Sequence, residues 1–290
     1  MLFDALITGV TLGGMYALVA LGLTLQYGVA RIMNLSYGET LVAASFAAMA
    51  LYTGAAVNPL FGLLVVVPAA AGISWLIYRF LLTPLVRRAK SRDALEVDSI
   101  LATFGLLFVI QGVMLAIFGG AYFSYAFLAV PVQVFGTVIA ANRLLALGFA
   151  LVIGLGLWLG LTRTRTGTAL RAVAVDPNAA QLVAIDVRAM AAAAFALGGG
   201  LVASGGVLTS MFLTFNANIG VVFTMKALIV VIMGGVGNLL GCLVAGLILG
   251  LTETLVATLI DPGLTLAATY TLFLAILLLR PQGLFGGARR

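Results

Sequence analysis

Three ionisable residues interrupt otherwise apolar sequence and are the chain's first candidates for chemistry: Glu39, Lys226 and Glu253. A charge at a bilayer centre costs about 2.5–3.5 kcal/mol on insertion scales, so such residues mark functional positions by default. Glu39 closes the stretch Asn34, Leu35, Ser36, Tyr37, Gly38, which reads as an unwound or re-entrant segment, tolerated only where protein or water surrounds it. The carboxylate either lines or gates a pathway, or is buried and held by Arg31 or a helix N-terminus. Lys226 and Glu253 fall at similar depth in two later apolar segments, which suits an ion pair that lowers the cost of each charge. That pair is either a structural brace or a charged face toward a cavity.

Other chemistries are excluded. The chain has no His, which removes His bases, Ser-His-Asp triads and His metal ligands. The single cysteine, Cys242, sits in an apolar run and reads as inert packing. No glycine precedes Lys90-Ser91 at the spacing of a phosphate loop, so the chain does not cradle ATP that way. Gly198–Ala203 has a dinucleotide-like glycine spacing, but inside an apolar run, where close helix packing explains it. The same explanation covers the pairs Gly237/Gly241 and Gly246/Gly250. No catalytic, cofactor-binding or metal-ligating set is expected.

The elements that carry these residues are membrane spans. Of 290 residues, 63% are hydrophobic and 8% charged, against about 45–50% and about 25% in soluble domains. A spanning helix needs about 20 mostly apolar residues. Such stretches lie at 5–26, 35–53, 59–82, 99–118, 144–161, 189–213, 221–233, 239–260 and 264–279. The seventh is short, so the expectation is an all-α, polytopic membrane bundle of eight or nine segments, some broken or re-entrant. The N-terminus lacks the basic region and cleavage site of a signal peptide.

The formal charge of +6 is explained by where the bases sit. Arg87, Arg88, Lys90 and Arg92 mark one loop, Arg163, Arg165, Arg171 and Arg188 a second, and Arg280, Arg289 and Arg290 the C-terminus. Basic loops are cytoplasmic, so nine crossings put the N-terminus outside and the C-terminus inside. Only Arg143 stands against the rule. The outer loop 120–142 carries Tyr122, Phe123, Tyr125 and Phe127, which suits an aromatic interface belt.

The second basic loop, 162–188, has clear helix grammar. Asp176 can cap a short helix near 178–185 with Pro177 at its first position, and a second helix precedes it near 169–175 with Arg171 on its polar side. A helix this short needs packing to persist. It either lies on the membrane surface or docks into a soluble partner. Two glycine-punctuated stretches, near Asn34–Glu39 and Gly234–Gly241, sit in opposite halves of the chain. Broken segments so placed often mark a midplane site between structural repeats.

Four motifs, in order, resemble one family. They are Arg31-Ile-Met-Asn-Leu-Ser-Tyr-Gly-Glu39; Thr166-Gly-Thr-Ala-Leu-Arg-Ala172 with Ala180-Gln-Leu-Val-Ala-Ile185; Lys226-Ala227 leading to Met233-Gly-Gly-Val-Gly-Asn238, with Gly241, Gly246 and Gly250; and Leu279-Arg-Pro-Gln-Gly-Leu-Phe285. The chain resembles the permease subunits of bacterial ABC importers for branched-chain amino acids, the LivH-like group. It departs from them at Tyr37, where the family often has His, and at Ala184, where it usually has Gly. The resemblance implies one transmembrane permease domain over residues 1–290 in the bacterial inner membrane, with a coupling loop at about 162–188. It implies a second, homologous permease subunit, two ATP-binding subunits that hold ATP and Mg, and a periplasmic solute-binding protein. No nucleic-acid partner is expected. Coupling would fall to Thr166, Gly167, Arg171, Asp176, Pro177, Ala180, Leu182 and Ile185. Pathway or gating candidates are Asn34, Ser36, Tyr37, Glu39, Lys226 and Glu253, the last two meeting the amino acid's charged groups if they face the cavity. Gly38, Gly234, Gly235 and Gly237 would give backbone flexibility. The alternative is an ion-coupled transporter acting without an ATPase, with Glu39 and Glu253 as proton carriers. Branched-chain amino acids are the default substrates; related systems carry other amino acids, urea or short amides.

Overall fold

The computed structural model describes residues 2–89, 91–125, 127–134 and 137–286. Lys90, Arg289 and Arg290 of the basic clusters lie outside them. Every apolar stretch read above coincides with a helix: α1 (Leu2–Ala30), α2 (Tyr37–Ala55), α3 (Pro59–Ile77), α5 (Arg92–Phe118), α6 (Ala141–Arg163), α9 (Val187–Ser210), α10 (Gly220–Gly234), α11 (Leu239–Leu259) and α12 (Thr265–Leu279). α3 continues through a π turn (Tyr78–Leu82) into α4 (Thr83–Arg88). Among the described residues, seven helices are long and apolar enough to cross a membrane. They do not include α2, with Glu39 in its first turn, or α10, which has 15 residues. The chain is a multi-pass membrane protein.

α1 is the central post, packed along α11 and α9. Small residues set the spacing between α1 and α11. A Cβ on Gly13 would lie 2.7 Å from the Leu247 Cα, and one on Gly246 2.7 Å from the Ala17 Cβ. In lipid, where burial alone does not drive helices together, such backbone approach supplies the packing. The Gly246/Gly250 spacing therefore does what the sequence suggested. The Gly237/Gly241 spacing does not: Gly241 abuts Gly234, but Gly237 sits in a turn with φ 85° and open space around it.

The loop 120–142 departs from the expected aromatic belt. It contains an antiparallel hairpin, β1 (Pro131–Val134) and β2 (Thr137–Ala140), in register Val132↔Ile139 and Gln133↔Val138. Alternating β-branched residues outside the spans can pair there without lipid contact. Only Tyr122, 73% exposed, fits the aromatic belt. Phe123 meets Phe46 edge-on, Tyr125 bonds Ser210 and packs on Tyr52, and Phe127 also meets Tyr52. These three rings close this end of the bundle, and burial raises the Tyr125 hydroxyl above the usual phenol range.

Candidate functional site

Two helices start inside the bundle. Tyr37 Oη donates to the Gly198 carbonyl at 2.9 Å, and Ser45 Oγ to the Gly206 carbonyl at 2.9 Å. Both partners are 161 residues apart, so α2 runs beside α9 in the same direction. Its first residue stands level with Gly198, about 16 Å along α9 from Val187 at 1.5 Å per residue. α10 starts at the same level, because the Gly38 N–H donates to Thr224 Oγ1 at 2.8 Å. A Cβ on Gly38 would strike the Gly220 carbonyl. Gly38 is thus needed for close approach inside a helix rather than for a flexible backbone.

Each start follows irregular, buried chain. After α1, Arg31 turns through φ 55° and Ile32–Ser36 is unwound, as the sequence suggested. Its polar groups are satisfied locally. The Thr103 hydroxyl lies 3.1 Å from both the Leu35 N–H and the Met33 carbonyl. Asn34 Oδ1 accepts from the Ser36 N–H and hydroxyl, and its Nδ2 donates to Gln26 at 3.3 Å. After α9, residues 211–219 are likewise non-helical, with Phe215 and Ala217 buried. The second broken segment is therefore this one. Gly234–Gly241 is the turn at the opposite end of α10, where Gly235 and Gly237 take positive φ and Asn238 caps α11. It does not meet Asn34–Glu39.

Glu39 sits at the junction of the two starts. It is fully buried, and neither carboxylate oxygen has a hydrogen-bond partner among the described residues. Its carboxyl carbon and oxygens pack against the Cα of Gly220, the first residue of α10. Ser36 and Glu39 have capping-box spacing, but Ser36 makes no side-chain cap bond to α2 and donates to Asn34 instead. Arg31, one expected partner, is turned away and lines a hollow of about 620 Å³ with Arg171 and Gln282. Of the two expected stabilisers only the helix start is present, by proximity. Tyr37 is also fully buried, its hydroxyl tucked between Gly22 and Gly198.

Lys226 and Glu253 do pair, Nζ to Oε2 at 2.8 Å. The rest of the network leaves no mark in the sequence. Tyr16 Oη donates to Glu253 Oε2 at 2.8 Å and accepts from Lys226 Nζ at 2.8 Å, and Thr269 Oγ1 donates to Glu253 Oε1 at 2.6 Å. Lys226 also lies 4.7 Å from the Tyr16 ring centroid. Four helices (α1, α10, α11, α12) are tied together, and nothing in the group is left unsatisfied. Arg143, the base that stood against the charge rule, donates to Thr8 at 3.1 Å.

The basic loop forms two short helices, α7 (Arg165–Val175) and α8 (Pro177–Leu182). α7 begins earlier than expected because the Thr164 hydroxyl caps it, accepting from the Gly167 N–H at 3.0 Å. A Cβ on Gly167 would strike the Gly160 carbonyl, so Gly167 lets α7 fold back on α6. Asp176 caps α8 through the Asn178 and Ala179 N–H groups, with Pro177 in its first turn. α8 ends at Leu182, three residues earlier than expected, because Ala184 takes φ 61° and Ile185 folds back to the Ala180 carbonyl. Ala180, Leu170 and Val173 are buried, while Thr166, Arg171 and Asp176 are exposed. Leu182 is 89% and Val175 85% exposed. The C-terminal motif docks on the end of α10: the Leu284 N–H reaches the Met233 carbonyl at 2.7 Å and Asn238 Nδ2 the Phe285 carbonyl at 3.0 Å. The Leu284 bond, with the Phe285 N–H on the Gly234 carbonyl at 3.3 Å, satisfies carbonyls that the end of α10 leaves free.

Comparison with known proteins covers the same span. A family model described as "Branched-chain amino acid transport system / permease component" matches residues 5–280. The high-affinity branched-chain amino acid transport system permease protein LivH of Escherichia coli (strain K12) is 26% identical, over 96% of this chain and 93% of its own. The corresponding protein BraD of Pseudomonas aeruginosa is 28% identical, over 97% and 94%. A solved structure, PsaBC from Streptococcus pneumoniae in complex with Fab, shares the fold with a TM-score of 0.52 at 14% identity, over 97% of this chain and 92% of that one.

Proposed function

The chain belongs to the branched-chain amino acid transport system permease family, and on that premise we propose that it is the membrane-spanning permease subunit of an ATP-driven importer for branched-chain or related amino acids. It is a transport component and not an enzyme. Two ATP-binding subunits, which hold ATP and Mg, bind its cytoplasmic side; a second, homologous permease completes the pathway, and a periplasmic binding protein delivers the solute. The whole chain acts as one domain with eight or nine crossings in the bacterial inner membrane, its C-terminus inside and, with nine crossings, its N-terminus outside. The basic loops favour this orientation.

The observation that carries the coupling reading is the α7–α8 segment. It is capped at Thr164 and Asp176, anchored by buried Ala180, and turns Leu182 and Val175 into solvent. An exposed pair of large apolar residues on a rigid, capped segment suits a docking knob. ATP binding shifts the permease only by favouring one of its states. Movement at α7–α8 passes to α9, which Asp186 caps directly after the segment, and α9 carries the level at which α2 and α10 begin. Asn34, Ser36, Tyr37 and Glu39 would gate there, with Gly38 allowing the contact. Lys226 and Glu253 brace α10 against α11. The family match supports this reading over an ion-coupled transporter acting alone.

The test is uptake into vesicles holding the assembled transporter. Leu182→Asp should abolish ATP-dependent uptake and co-purification of the ATPase subunits while leaving the permease folded. Uptake by the permease alone on an ion gradient would overturn the proposal.

A further inference from the structure

A second charged feature lies outside everything described so far. α3, the π turn and α4 meet the start of α9 around a pocket of about 640 Å³. Arg79, Arg87, Arg88 and Arg188 line it, and the one acid among its lining residues is Asp186. That acid is already occupied, because its Oδ1 accepts the Arg188 and Ala189 N–H groups at 2.9 and 3.1 Å. No hydrogen bond or ion pair joins any of the four guanidinium groups to another described residue. Arg79 stacks over Trp75 at 5.4 Å, which fixes the guanidinium plane while leaving its N–H donors free.

Depth identifies the surroundings. Counting about 20 residues of hydrocarbon from Pro59 reaches Tyr78, so Arg79 and the π turn emerge where the headgroups lie. Trp75 at the rim, 39% exposed, is the aromatic expected at that level. Leu76, Phe80 and Leu81 beside the pocket are exposed, Phe80 at 71%. The π turn, with the Thr83 N–H and hydroxyl both on the Tyr78 carbonyl, adds a residue to the helix at this point. A water-soluble acidic partner would match the arginines but leave this apolar flank in water. A molecule with an anionic head and hydrocarbon tails matches both.

We propose that this pocket binds the phosphate headgroup of an anionic phospholipid, with the arginines on the phosphodiester and the acyl chains along the exposed face of α3. The site joins α3 to the start of α9, directly after Ile185, so a bound lipid would stiffen the base of the α7–α8 segment. The inference stands apart from the transport reading.

The chain has two tryptophans, Trp75 and Trp158, and only Trp75 lines this pocket. In the full chain carrying Trp158→Phe, reconstituted in phosphatidylcholine vesicles, chain-brominated phosphatidylglycerol should quench Trp75 at a mole fraction about tenfold lower than brominated phosphatidylcholine. Arg79→Gln/Arg87→Gln/Arg188→Gln should erase that preference, and the matching triple Lys variant should keep most of it. Equal quenching by the two lipids, which needs no variant, overturns the proposal. So does relief of quenching by millimolar inorganic phosphate, which would assign the arginines to a free anion. Relief on adding the ATPase subunits would assign them to protein and overturns it equally.

Discussion

Two glutamates are buried in this bundle, and their surroundings are opposite. Glu253 accepts from a lysine, a tyrosine and a threonine on three other helices. Glu39 accepts from nothing among the described residues and rests against the backbone of Gly220. A charge in low dielectric is tolerable when paired and hydrogen-bonded, and costly when it is not. Glu253 therefore reads as structure, tying α11 to α1, α10 and α12. Glu39 reads as a group held in a state it does not favour, at the one level where two helices begin. The fold offsets that cost through the stitched contacts around it, Gly38 to Thr224 and Tyr37 to Gly198.

The comparison breaks first at Lys226. Lys226→Met should destabilise the chain by roughly 3–5 kcal/mol, because it strands the Glu253 charge. Lys226→Met/Glu253→Met should recover most of that loss. Thermal unfolding in detergent reads both. A single variant as stable as the parent would show that Tyr16 and Thr269 alone satisfy Glu253, and the brace would lose its central member.

Next comes Gly220. A Cβ there would overlap the Glu39 carboxylate, so Gly220→Ala should cost about 1–3 kcal/mol as overpacking. Glu39→Ala should relieve it, and the melting temperatures of the four chains form a cycle that measures the contact. Additive effects would mean that the carboxylate does not face the α10 start.

Which parts could be read beforehand follows from range. Asp176 acts on N–H groups two and three residues away and Pro177 fills the first helical position, so spacing alone exposed the cap. The unwound stretch after Arg31 was legible because Asn34 and Ser36 side chains compete locally with helix. Lys226 and Glu253, 27 residues apart, were paired by depth on neighbouring segments. Tyr16 and Thr269 join them from distant helices, and no local pattern marks a tyrosine as a carboxylate's partner. The orphan state of Glu39 was hidden for the converse reason. Its local neighbours suggested Arg31 or a cap, and only the packed bundle shows Arg31 facing another hollow. The break before α10 was masked because Met211, Phe212 and Leu213 read as the end of a span and residues 214–220 as an uncharged connection.

The smallest effect on stability is also the most discriminating. Glu39→Gln keeps the shape and removes the charge. With no partner to lose, it should leave the melting temperature unchanged or raise it, whereas Glu253→Gln weakens a three-donor site and should cost about 1–3 kcal/mol. Transport should respond in the reverse order. If the strained carboxylate helps α2 and α10 part during the cycle, relaxing it favours the closed state, and ATP-driven uptake should fall with the fold intact. A relieved strain of about 1.4 kcal/mol would lower the open population about tenfold. Uptake that is unchanged in Glu39→Gln would reduce Glu39 to packing beside Gly220. Uptake lost together with stability would mean that the carboxylate has a partner after all, and the contrast with Glu253 would disappear.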